Sequence, residues 1–243
     1  MNRFSKEARL RDKLPMAPKP EKHFTWRGQE VSRLEGLADA VFGFAVTLLV
    51  ISLEVPRTTQ ALRDTLQGFP AFVLCFGILM AFWNAHYRYF RRFGLQNSAT
   101  RVMTMGILVL VLFFVYPLKF LFTLITAKNF GLVMPMPDAP QISSPDDVLF
   151  LYTTFGLGFA GIWTLYAGLY VHALNRRAEL RLSPSELNFT RGALVSYSIH
   201  IVVCLASVAI AYSTGADLLP GFVYLLLIPL QSLNKWWFAR KAG

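Results

Sequence analysis

Uncharged apolar runs recur along this chain, and they limit what it can fold into more than any other feature. Residues 40–53 hold no charged side chain, and comparable stretches follow at intervals to the C-terminal end. A helix needs about 20 such residues to cross the hydrocarbon core of a bilayer. Backbone polar groups have no water to bond there, so only helices or a closed barrel can span it. Runs of this length select helices. Charged residues make up 16% of the chain against 54% hydrophobic, a balance too apolar for an ordinary soluble domain. The fold class is therefore all-α integral membrane protein.

Six spans are predicted, at residues 34–55, 69–89, 102–125, 148–174, 192–212 and 218–238. Together they form one unit, residues 33–238. Residues 1–32 read as a basic, flexible tail suited to a membrane surface, and 239–243 as a short basic tail. The start of the chain is polar and basic, so it does not read as a secretory signal peptide. Residues 126–147, the longest connection, form a Pro-rich loop. Lys and Arg number nine through Arg33, four after span two, four after span four and three at the C-terminal end. The alternate connections hold two, one and none, a distribution of twenty against three with Lys119 inside span three. The positive-inside rule then places both termini in the cytoplasm, in a multi-pass protein of the plasma membrane.

The net charge of +10 does not point to nucleic acid, because it sits in the connections, where anionic headgroups account for it. Cys75 and Cys204 lie inside apolar runs and read as small buried hydrophobes. No His or Cys pair has metal-ligand spacing, and no HExxH, GxSxG or phosphate-binding glycine loop occurs. The sequence thus offers no catalytic residue, metal or cofactor, and the chain does not read as an enzyme. It lacks arginines at every third position and a TVGYG-like filter, so any ion path through it needs side chains at its constriction.

Several polar groups lie within the spans. Asp39 sits one turn into span one, at a depth shared with Asn84 and His86 of span two beside Trp83; a buried carboxylate there needs partners. Lys119 reads as snorkelling to the outer interface. His172 reads as interfacial, and His200 as a bonder between helices.

Span one also carries a resemblance. Arg33-x-x-x-Leu37-Ala38-Asp39, followed by Thr47-Leu48-Leu49 and Pro56, resembles the first helix of the transmembrane protein 175 family, endolysosomal potassium channels and their prokaryotic relatives. That signature is Arg, three residues, then Phe-Ser-Asp, leading into an apolar helix with Thr-Leu-Leu. Trp83 and His86 in span two, and Pro117 late in span three, are similar to the family pattern. Leu37-Ala38 stands in place of Phe-Ser, Thr104 in place of an asparagine, and Phe44 where the narrowest ring is usually isoleucine or leucine.

The resemblance implies a homotetramer of six-span subunits around a pore lined by span one, with apolar side chains at the constriction and potassium or other monovalent cations as the permeating species. At about 100° per residue, Leu48, Ile51 and Val55 fall within roughly 40° of Phe44, and Thr47 flanks them. Asp39 projects roughly 140° from Phe44. The expected constriction is Phe44, Thr47, Leu48 and Ile51. The expected clamp behind it is Arg33, Asp39, Asn84 and His86. A proton-coupled small-solute transporter using Asp39, His86 and His200, and a non-conducting scaffold, are the alternative readings.

Overall fold

The computed structural model describes residues 24–28, 30–51, 56–129, 143–215 and 219–240, and among these the regular structure is all helical. In chain order the helices are α1 (Arg33–Ile51), α2 (Thr59–Gln67), α3 (Phe69–Phe93), α4 (Ser98–Asn129), α5 (Pro145–Asn175), α6 (Pro184–Thr214), α7 (Leu219–Phe222) and α8 (Leu227–Arg240), with a 3-10 turn Val223–Leu226 before α8. Four of these are long and apolar enough to cross a membrane: Phe69–Phe93, Ser98–Thr126, Pro145–Asn175 and Pro184–Thr214.

Local chemistry sets the helix starts. Before α1, the Ser32 hydroxyl accepts the Glu35 N–H at 3.1 Å and the Glu35 carboxylate accepts the Ser32 N–H at 2.9 Å. Ser144 with Asp147, and Ser183 with Glu186, make the same reciprocal pair before α5 and α6. Each arrangement satisfies two amides that a helix start leaves open. α3 ends on Gly94, whose φ of +61° suits a residue with no Cβ.

The long helices overrun the predicted spans. α6 begins eight residues before 192 because its capping box lies in the polar approach. The short α2 falls where a plain connection is expected; Thr58 caps it by accepting the Ala61 N–H. Residues 218–238, expected to form one helix, are instead broken into α7, the 3-10 turn and α8. Pro220 and Pro229 lie in this region, and each removes a backbone donor from the ladder.

α5 and α6 pack as antiparallel neighbours, and α4 packs on the other side of α5. The core is aromatic: Phe82, Tyr89, Phe93, Tyr166 and Tyr170 are all nearly inaccessible. The Tyr166 hydroxyl donates to the Phe82 carbonyl at 2.7 Å, which satisfies the one polar atom that side chain brings inside. A polar seam joins α6 to α8 at four-residue spacing. Asn188 donates to the Phe238 carbonyl, Asn234 donates to the Gly192 carbonyl, and Ser196 donates to Gln231.

Candidate functional site

α1 is half embedded. Ala38, Phe42, Ala45 and Leu49 are buried against α3 and α4, while Gly36, Leu37, Ala40, Gly43, Phe44, Thr47 and Val50 are exposed among the described residues. At about 100° per residue this open sector covers roughly 140°, with Ala40 and Thr47 near its middle. The sequence-based stripe is therefore turned by roughly 50°. Phe44 is 54% exposed, but Leu48 packs onto the core at the sector's edge. The cause is the width of the embedded face, which takes Val41 and Leu48 as well as the four buried residues. The Ile51 side chain, Val55 and the turn that joins them lie outside the described residues.

Thr47 donates its hydroxyl hydrogen to the Gly43 carbonyl at 2.9 Å. The residue is exposed, and its hydroxyl oxygen keeps acceptor capacity beyond that bond. The rest of the open sector, apart from Arg33 at its base, is apolar or backbone.

Of the expected clamp, Asp39 alone finds a partner on α3. Its carboxylate accepts the Trp83 indole N–H at 2.7 Å and stays exposed in the subunit. Asn84 and His86 do not bond to it among the described residues. Asn84 is rotated about 100° from Trp83 around α3, and His86 about 60° the other way. His86 instead lies 1% exposed beside Phe42 and Phe90, ring centroids 6.2 and 4.6 Å away. Its Nε2 has no hydrogen-bond partner among the described residues. Arg33 is exposed at the start of the helix. His200, expected between helices, stacks on Trp163 at 4.4 Å and meets Ser196 and Gln231 in the α6–α8 seam.

The groups that fix the base of α1 are different ones. Glu35, 6% exposed, faces Arg91 of α3 at 3.6 Å. Arg91 also donates to the Gly28 carbonyl at 2.8 Å and lies over the Tyr87 ring. Tyr87 stacks on Trp83 and meets Trp26 edge-on, so an aromatic row runs from Asp39's partner to the segment that precedes α1. The Ser32-x-x-Glu35 spacing is a cap signal that the sequence reading passed over, and Arg91 counted there only as one of the loop charges.

This fold and this half-embedded helix define a multi-helix membrane protein in which one face of α1 has no neighbours among the described residues. Residues 33–117 match the family described as the endosomal/lysosomal potassium channel TMEM175. A protein of Marivirga tractuosa named "Potassium channel" is 28% identical over 217 residues, covering 86% of this chain and 88% of that one. The crystal structure of a variant of the potassium channel MtTMEM175, bound to a nanobody–MBP fusion, superposes with a TM-score of 0.81 at 27% identity, over 90% of this chain and 98% of that one. A TMEM175 homologue from Chamaesiphon minutus shares the fold at TM-score 0.50 and 20% identity, over 87% and 97% of the two chains. The likeness first read in α1 thus extends along the fold, in sequence over residues 33–117 and in structure over 90% of the chain.

Proposed function

We propose that this protein is a potassium-permeable cation channel in which four copies place the open sector of α1 around a common axis. The observation that carries the reading is that sector itself: small residues, Leu37, Phe44, Val50 and one threonine, with Arg33 at its base, on a helix otherwise held by α3 and α4. Gly36, Ala40 and Gly43 permit close approach of a second helix. Phe44, with Leu48 at its edge and Ile51 one turn on, supplies the apolar constriction, which closes by bulk and dewetting. Thr47 offers its oxygen to a partly dehydrated ion. Asp39 and Trp83 hold α1 against α3 at the edge of the sector, with Arg33, Asn84 and His86 at the same end of the two helices. Six crossings with both termini in the cytoplasm fit the loop charges, and the bacterial relative favours a prokaryotic plasma membrane.

The test is potassium flux into proteoliposomes under a potassium gradient. Low wild-type flux is expected, because the Phe44 ring narrows the path. Phe44→Ala should raise it several-fold, and Thr47→Ala should change the preference among monovalent cations. Absence of flux from wild type and Phe44→Ala alike counts against the channel. Saturable uptake strictly tied to pH would favour the transporter reading.

A further inference from the structure

The stretch just before α1 is packed, and its contacts are unusually specific for a segment read as tail. Phe24 is 4% exposed, meets Phe93 edge-on at 5.5 Å, and lies under the guanidinium groups of Arg27 and Arg92. The N–H groups of Arg27 and Gly28 both donate to the Arg91 carbonyl, at 3.0 and 3.2 Å. That carbonyl lies in the last turn of α3, where a helix leaves its acceptors open. Gly28 is required here by space: a Cβ would come within 2.4 Å of the Phe90 carbonyl oxygen.

Arg27 ties this segment to the opposite side of the bundle. Its Nη1 and Nη2 meet the two Glu186 oxygens at 2.9 and 3.0 Å, a two-pronged ion pair. Its Nε donates to the Leu180 carbonyl at 2.8 Å in the α5–α6 connection. Glu186 also accepts the Thr25 N–H at 2.9 Å. The segment therefore bridges the end of α3 and the start of α6. Four residues separate Gly28 from Arg33, too short a link to uncouple them, since each residue extends at most about 3.6 Å. Arg91 closes the circuit by holding both the Gly28 carbonyl and Glu35 in the first turn of α1.

We propose that residues 24–28 are a strap that positions the first turn of α1, with Arg27 and Glu186 as the positioning pair, so that its release changes how often the ion path opens. The opening part of this statement rests on the channel reading; the positioning part does not. With the open sector of α1 free of neighbours among the described residues, the strap acts beside the α3 and α4 contacts in restraining its base. Loosening the strap lets that base tilt without altering any residue that faces the path.

Two variants release the strap by unrelated means. Glu186→Gln removes the ionic partner of Arg27 yet keeps a side chain able to complete the cap with Ser183. Gly28→Ala collides with the α3 carbonyl and touches no charge. The full-length protein, reconstituted in vesicles, is read two ways. Hydrogen exchange should show slow amides at Thr25, Arg27 and Gly28 in the wild type. In both variants, exchange should quicken at least tenfold there and in the first turn of α1, with the exchange of α5 unchanged. Single-channel recording should show an open probability altered at least threefold at unaltered unitary conductance. Fast exchange of residues 24–28 in the wild type overturns the proposal. So does strap release that leaves both the α1 amides and the open probability as they were. If no current is seen from any form, the channel reading falls, while the α1 exchange still decides whether the strap positions that helix.

Discussion

The Trp83 indole donates to the Asp39 carboxylate at 2.7 Å, joining two helices across 44 positions of sequence. This one bond holds the acidic residue of the span-one motif to its neighbour α3. It lies at the edge of the open face of α1 and adds one restraint to the rotation that the embedded face sets.

A hydrogen bond to a charged group contributes about 1.5–3 kcal/mol when buried. Asp39 is exposed in the subunit, so we expect about 1 kcal/mol after solvent screening. A double-mutant cycle of Asp39→Asn and Trp83→Phe, read by unfolding in detergent, should give a coupling of that size. Strict additivity of the two changes would remove Asp39 from its holding role.

The α6–α8 seam has a measurable value of its own. Gln231 donates to the Ser196 carbonyl at 3.0 Å and accepts the Ser196 hydroxyl at 2.7 Å. Gln231→Leu leaves the serine hydroxyl unpaired and should cost about 1 kcal/mol, the usual scale for such bonds between membrane helices. Equal or higher stability of the leucine variant would show that shape alone joins α8 to α6.

The strap should withstand acid. Glu186 lies six residues before the stretch 192–212 and outside the apolar span. Burial alone would raise its pKa, but the Arg27 hydrogen bond and the backbone N–H groups of Ser183 and Thr25 lower it to about 2. A carboxyl group lowered in this way contributes stability that is fully present above its ordinary value of 4.5 and is lost as pH falls through 2. Exchange of the Arg27 and Gly28 amides, corrected for intrinsic rate, should therefore stay constant from pH 7 to 5. Release with a midpoint near 5 would place the glutamate outside the ion pair.

Much of the fold was legible because it follows from periodic burial and composition. The starts of α5 and α6 followed less well, since a capping box carries a helix into polar sequence that a hydropathy reading leaves as loop. The break in 218–238 was hidden because its first part, residues 218–230, is apolar throughout but for Tyr224, with Pro220, Gly221 and Pro229 as the visible irregularities. At the candidate site, the motif around Asp39 directed the reading to α1, where Phe44 and Thr47 face outward. Leu48 does not fully join them, because the rotation of α1 is set by how much of it the core takes in. The partnership of Arg27 with Glu186 spans 159 positions, and no local pattern signals it.

The central claim is that ions pass along the open sector of α1. The Thr47→Cys substitution, in a chain whose Cys75 and Cys204 are replaced by Ala, allows a direct measurement with a water-soluble cationic methanethiosulfonate. The control is Val109→Cys, on an exposed part of α4. The account predicts that the reagent blocks potassium flux through the Thr47→Cys protein and leaves the Val109→Cys protein unaffected. Flux that persists after the introduced thiol on α1 is shown to be modified would contradict it.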